Sequence, residues 1–283
     1  MLTGIWSSDA PKNITAEAHV VQISVNAWGR AVAALTLATA TASTHARPPV
    51  VFGQTWEPNT ALSDEFDGSE LNQQKWRNRH AWFMGKAPGL FKPDNVVVTN
   101  GNLELRTTPL DERFRSRWMA SPSISSLRPI AGLGYYEARI KAAPSSLDSA
   151  FFLQIKSGQE IDISENYGLS VNHPDMQYQA RSNTHWQNKR HTHLIGTIIS
   201  PNTNWHVYGA WYKSPKEVQI YVDGRYVGSH NLQGDFTKSM YMIFDVEPSK
   251  EQGIPDVAAL LANPRAYVMQ VDWVRSWVLA KKR

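Results

Sequence analysis

The stretch GQEIDISENYG, residues 158–168, carries three carboxylates, Glu160, Asp162 and Glu165, set among isoleucines. On an extended strand side chains alternate, so Glu160 and Asp162 share one face while Ile161 and Ile163 take the other. Glu165 follows Glu160 by five residues and falls on the wrong face of a regular strand. One extra residue in a β-bulge near Ile163 and Ser164 returns it to the face of the other two. Like charges placed so close push their pKa values apart, so that one carboxyl stays protonated as an acid while another stays ionised as a nucleophile. Such a trio suits cleavage of a glycosidic bond. The same residues also fit a half-exposed strand whose wet face happens to be acidic.

The elements that must position this trio are strands almost throughout. From about Val50 onward the chain alternates apolar and polar residues in short runs. Asn100-Gly101 in NVVVTNGNLELRTT and Asp223-Gly224 in EVQIYVDGRYVGS each separate two such runs, the strongest short-range signal for a hairpin. Further strands are predicted over 134–142, 150–156, 159–164, 193–199, 205–212, 240–246 and 267–278, with a minor helix over 255–264. Short strands with turn signals at fairly regular spacing predict an all-β sandwich or jelly roll, and no glycine-rich strand-to-helix fingerprint points to a nucleotide fold.

At 283 residues the chain is long enough to bury a sizeable core. We divide it into an N-terminal extension, 1–48, and one catalytic domain, 49–283. Lys and Arg are scattered and the formal net charge is only +4, so the basic stripe of a nucleic-acid binder is missing. With no cysteine, a disulfide framework, a thiolate nucleophile and a Cys-based zinc site are excluded. The 11 tryptophans suit a site that stacks sugar rings.

After Arg30 the run AVAALTLATATASTHA ends on small residues and is followed by RPPV, like the end of a secretory signal cleaved after Ala46. The run is too short for a membrane-spanning helix. A signal normally begins near its positive charge, and here 29 residues precede Arg30. Translation starting at Val20, Val21 or Val25 would remove the discrepancy. The other reading is an unstructured or weakly helical extension. The expected location is secreted or periplasmic.

Around EIDISE the chain resembles glycoside hydrolase family 16, and within it the β-agarases, porphyranases and related red-algal galactan hydrolases. The bulged signature E-x-D-x-x-E is matched by Glu160, Asp162 and Glu165. NVVVTNGNLEL, GYYEARIK, SNTH, VYGAWY, YVDG and VDWVRSW follow in the family's order over roughly residues 56–278. The resemblance implies a jelly-roll β-sandwich of two antiparallel sheets with a concave substrate cleft. It also implies Glu160 as nucleophile, Glu165 as acid/base and Asp162 as the group between them, in a retaining double displacement with carboxylates roughly 5 Å apart.

Substrate-binding residues implied in the same way are Trp82, Phe152, His185, Lys86 and Glu247, and Trp186 joins them as an aromatic in a polar stretch. Trp118 shares that setting, whereas Trp76, Trp273 and Trp277 lie on apolar strand patterns and are read as packing; Trp205 and Trp211 share a face that the sequence leaves undecided. Phe152 stands where many relatives have tryptophan, Lys86 where many have arginine, and the aromatics that often follow Glu247 are missing. A lysine cannot reproduce the bidentate grip of a guanidinium. For a sulfated substrate, Arg79, Lys86, Lys92, Arg117 and Arg181 are the available cations.

His191 and His193 at i and i+2 invite a zinc reading, but no carboxylate partner is evident nearby. No cofactor is expected to be required, and a structural calcium on Asp272 is the further expectation drawn from the family. The expected partner is a galactan polysaccharide, with no nucleic acid, no membrane and a monomeric chain. Substrates in view are agarose or porphyran, with a carrageenan-type galactan or a β-1,3-glucan as the alternative. A non-catalytic sugar-binding jelly roll is the third reading.

Overall fold

The computed structural model describes residues 47–187 and 189–280. The signal-like segment therefore lies outside the described residues. Among those described, strands dominate and form two large antiparallel sheets. The eight-stranded sheet runs in the order Arg225–Asn231, Glu217–Val222, His206–Ser214, Gly134–Lys141, Val268–Leu279, Asn102–Arg106 and Val96–Thr99, with Trp56–Pro58 added along Val268–Leu279. Both predicted hairpins are present in it. Asn100, Gly101, Asp223 and Gly224 all have positive φ, as a two-residue turn matched to strand twist requires.

The seven-stranded sheet carries the candidate site on four central strands: β1 (Asp148–Ile155), β2 (Gln159–Asn166), β3 (Gln179–Trp186) and β4 (Tyr241–Glu247). Its order is Lys189–Ile198, β3, β2, β1, β4, Ser123–Ser126, Trp76–Arg77. The strand β3 was not predicted, because ARSNTH is polar on both faces. A small third sheet pairs Gly89–Phe91 in parallel with Arg117–Ser121, and the latter with Thr108–Phe114. The helix is shorter than predicted, Val257–Ala262, and starts at Asp256, whose Oδ1 accepts from the Ala259 N–H at 2.8 Å.

The core lies between the two large sheets. Ile161 and Ile163 of β2 are fully buried there with Phe151, Leu153, Met242 and Phe244. Phe151 and Phe244 stack at 4.5 Å with planes 3° apart. Each such side chain contributes about 1.5–3 kcal/mol by burial, so the inward residues fix β2 against slipping. Among the described residues, no helix is long and apolar enough to cross a membrane.

Candidate active site

The pairing of β2 with β1 shows how the carboxylates come to one face. Glu160 lies opposite Gln154, Asp162 opposite Phe152 and Glu165 opposite Ala150. Positions 150, 152 and 154 alternate regularly and share the outer face of the sheet. The register slips by one between Asp162 and Ser164, leaving Ile163 as the extra residue with its side chain in the core. This is the bulge that the sequence required, at the place it required it.

The next strand supplies the polar partners. His185 pairs with Glu160 and Asn183 with Asp162. His185 Nε2 lies 3.1 Å from Asp162 Oδ2, and the Asn183 side-chain amide donates to Glu165 Oε2. Ser182 Oγ donates to the Asp162 carbonyl at 2.6 Å and ties β3 to β2 at this point. The ligating atoms of Glu160, Asp162 and His185 lie within 4.8 Å of one another, the only group of this kind among the described residues.

Burial pushes the Glu160 carboxyl up to about 8; Asp162 and Glu165 add to this by repulsion, while His185 and a hydrogen bond from Gln154 oppose it. The group raised is the one read from the sequence as the nucleophile. Further carboxyls stand on the same face. Asp148 and Glu247 pair across β1 and β4, and Asp245 lies opposite Ala150. Burial first, then neighbouring carboxylates, pushes Asp148 and Asp245 well above the usual range. Burial also raises Glu247, against the backbone N–H of Lys86, which donates to its Oε1 at 2.7 Å. These upward shifts express the cost of holding several charges buried together.

An aromatic wall stands at the Glu160 end. Trp82 packs with Tyr241 against Ala150, Phe152 and Ile243, its ring 5.6 Å from that of Tyr241 and 4.7 Å from His80. Phe152, only 6% exposed, forms the floor rather than a free platform. His80 is held neutral, its pKa lowered to about 4 by burial, and its Nδ1 accepts the Phe83 N–H at 3.1 Å. Gln154 hydrogen-bonds both His80 and Glu160 and so connects this wall to the trio.

Several sequence-predicted residues lie elsewhere. Trp186 follows His185 on β3 and by alternation points away from the trio; it packs against the core, 6.2 Å from Phe236. A Cβ built on Gly234 would lie 2.2 Å from the Trp186 ring, so that glycine makes room for it. Trp118 also packs against the core. Trp76 and Trp273 are buried as expected, and Trp277 packs on Tyr135. Trp211 belongs to the other large sheet, edge-on to Trp56, and Trp205 lies under the Arg139 guanidinium.

Arg117 is a clamp: it donates to the carbonyls of Gly85 and Gly89 and so fastens the loop bearing Lys86. Asp272 accepts from Arg139 at 2.7 Å. A guanidinium in that position does not fit a calcium ion bound to the same carboxylate. The side chains of His191 and His193 lie outside the described residues. Sequence reasoning missed Gln154, Asn183, Tyr241, His80, Asp148 and Asp245. For Gln154 and Asn183 the signal existed, since each is two residues from a named cleft residue, Phe152 and His185.

Comparison with known proteins places this geometry. Residues 56–279 match the family model described as the GH16 domain of beta-porphyranases A–D. The chain belongs to glycoside hydrolase family 16. It is 29% identical to beta-porphyranase B of Zobellia galactanivorans, over 81% of this chain and 87% of that one. It is 31% identical to beta-porphyranase E of the same organism, over 80% and 89%. The beta-porphyranase BpGH16B from the human gut bacterium Bacteroides plebeius superposes with a TM-score of 0.76 at 25% identity, covering 83% of this chain and 96% of that structure. As a member of this family, the chain is a glycoside hydrolase with a jelly-roll fold.

Proposed function

We propose that the enzyme is an endo-acting, retaining hydrolase of β-1,4 linkages in red-algal galactans, porphyran first and agarose second. The observation that carries this is the bulged strand β2, which gathers Glu160, Asp162 and Glu165 on one face beside an aromatic wall. The names of the porphyranase relatives support the substrate class.

In the proposed mechanism Glu165 gives its proton to the leaving glycosidic oxygen while Glu160 attacks the anomeric carbon. Glu165 then takes a proton from water, the resulting hydroxide attacks the same carbon, and Glu160 leaves as a carboxylate. Each turnover therefore ends with Glu165 protonated and Glu160 ionised. In the free enzyme burial first, and then the repulsion of Asp162 and Glu165, favours a proton on Glu160, so attack requires the shared proton of the cluster to sit on Glu165. His185, by opposing the rise at Glu160, favours that productive arrangement. Asp162, held at 3.1 Å by His185, keeps its charge directed at the nucleophile. The carboxyls supply both proton and nucleophile, so the proposal includes no cofactor. Because a polymeric galactan does not cross a membrane, the proposal includes a secreted or periplasmic location, and the enzyme is proposed to act as a monomer.

The test is release of reducing ends from porphyran, agarose, κ-carrageenan and laminarin, with Glu160→Gln and Glu165→Gln as controls. We expect cleavage of porphyran or agarose by the wild type alone, with the melting temperature of both variants unchanged or slightly raised. Cleavage of laminarin or κ-carrageenan instead would refute the substrate assignment. Unfolding of both variants would make the carboxylates structural.

A further inference from the structure

The outer face of the eight-stranded sheet, away from the trio, holds a buried carboxyl that the proposed chemistry does not use. Tyr136, Ala138 and Ile140 of Gly134–Lys141 point into the core, so by alternation Tyr135 and Glu137 stand on the outer face. Glu137 is nonetheless only 2% exposed, and beside it the rings of Trp56 and Trp277 pack on Tyr135 at 6.2 and 5.8 Å. The Tyr135 hydroxyl donates to Glu137 Oε1 at 2.9 Å, while Oε2 is buried without a hydrogen bond. Gly209, opposite Glu137 in the ladder, makes room for this pair, since a Cβ there would lie 2.5 Å from the Tyr135 hydroxyl. Arg275, opposite Glu137 on the other side, is committed to Glu65, to which its Nε and Nη2 donate at 2.8 Å each. Burial pushes Glu137 up to about 7; Tyr135, Arg275 and the backbone N–H of Arg47 oppose the rise, and Asp223 adds to it.

The Arg47 contact comes from the segment that precedes Trp56–Pro58. Pro48 and Pro49 stiffen it, and the Trp56 indole donates to the Pro49 carbonyl at 2.7 Å. The bond on the N-terminal side of Arg47 is the one that the leader-like sequence marks, with Thr44 and Ala46 at the third and first positions before it. We propose that Glu137 is the receptor for a processed N-terminus: hydrolysis of the Ala46–Arg47 peptide bond by a leader peptidase leaves an α-ammonium on Arg47 that pairs with the Glu137 carboxylate. One water is consumed. Ala46 departs with the new carboxylate, and the Arg47 nitrogen, a single amide donor before the cut, becomes a cation with three. It brings a donor to Oε2 and a counter-charge to a site that has neither an ion pair nor a full set of hydrogen bonds. Charge-assisted hydrogen bonds of this kind are roughly twice as strong as neutral ones, so the exported form is more stable than its precursor. The inference rests on the export proposed above and is independent of the substrate.

The chain is expressed in a secreting bacterial host from Met1 and, separately, from a start at Val25. Mass spectrometry of the exported protein should find Arg47 as its first residue. Its melting temperature at neutral pH should exceed that of the precursor, held in the cytoplasm by blocked secretion, by about 4 °C or more, the size expected of a buried ion pair in a domain of this length. Glu137→Gln should remove the gap. One serine inserted between Ala46 and Arg47 should remove it too, because it moves the ammonium off the carboxyl while leaving Glu137 in place; the test therefore survives a Glu137→Gln chain that fails to fold. The Arg47 amine of the wild type should also react with an acylating reagent about tenfold more slowly than that of Glu137→Gln, because pairing holds its proton. An exported protein that begins at Arg47, but whose melting temperature and amine reactivity ignore both changes, overturns the pairing and leaves the export reading standing. Export with a cut at another bond overturns the proposal alone. No export from either start overturns the location and the proposal together.

Discussion

Replacing Asp162 by Asn removes one charge and almost no volume, and its effect on Glu160 follows from the geometry. After burial, Asp162 is the largest influence holding Glu160 at about 8. Their carboxylate oxygens lie within 4.8 Å. At an effective dielectric of about 20, two unit charges at that distance repel by roughly 3.5 kcal/mol. Each tenfold change in an ionisation constant is ~1.4 kcal/mol, so unscreened repulsion corresponds to about 2.5 pH units, and water reaching the partly exposed Glu160 reduces the effect to about one. The productive state needs one proton on the cluster, so kcat/KM of the wild type should fall above about pH 8, as that proton is lost. In Asp162→Asn this basic limb should move toward about pH 7, and the maximal rate should fall about 10- to 1000-fold.

Stability supplies an independent readout. Between 4.5 and about 8 folded Glu160 holds a proton that the unfolded chain releases, so this group's contribution to stability is lost as pH rises across that window. The variant loses less, so its melting temperature should exceed that of the wild type at pH 8, with the gap closing by about pH 4. A basic limb that stays put or moves upward, or a gap that does not close on acidification, refutes the electrostatic account.

Other expectations separate ligand-facing from packing aromatics. Trp82→Ala should lower kcat/KM about tenfold or more on whichever galactan is cleaved, with little loss of stability, because the ring faces the cleft. Trp186→Ala should lower stability in urea by about 2–4 kcal/mol and leave KM unchanged, because the ring fills space over Gly234. A rise in KM with intact stability would return Trp186 to the cleft. The His80 ring, followed by NMR, should stay neutral down to pH 5 and titrate near 4. Titration near 6.5 would show that burial does not hold it neutral.

What the sequence could specify follows from the range over which each signal acts. Alternation is a local rule with a period of two, and it placed Glu160 and Asp162 together, demanded a bulge for Glu165, and buried Ile161 and Ile163. The same rule, applied to THW at 184–186, puts Trp186 on the face opposite His185. Its polar setting alone suggested the cleft, and the packing on Phe236 corrects that expectation. Turn chemistry was equally local, and both hairpins formed where Asn-Gly and Asp-Gly allowed positive φ.

The remainder of the site arises from strand order. Asp148, Asp245 and Glu247 are spread over about a hundred residues, and only the adjacency of β1 and β4 makes them neighbours. His80 reaches Glu160 through Gln154 because its loop crosses the outer face, a contact with no periodic signature. The result has a chemical consequence. Burial, with Phe152, Trp82 and Tyr241 standing beside the trio, is the first cause that raises Glu160 to about 8, and repulsion from Asp162 and Glu165 adds to it. The local motif supplies the reactive groups, and the tertiary neighbourhood, by burying them, raises Glu160 into the neutral range.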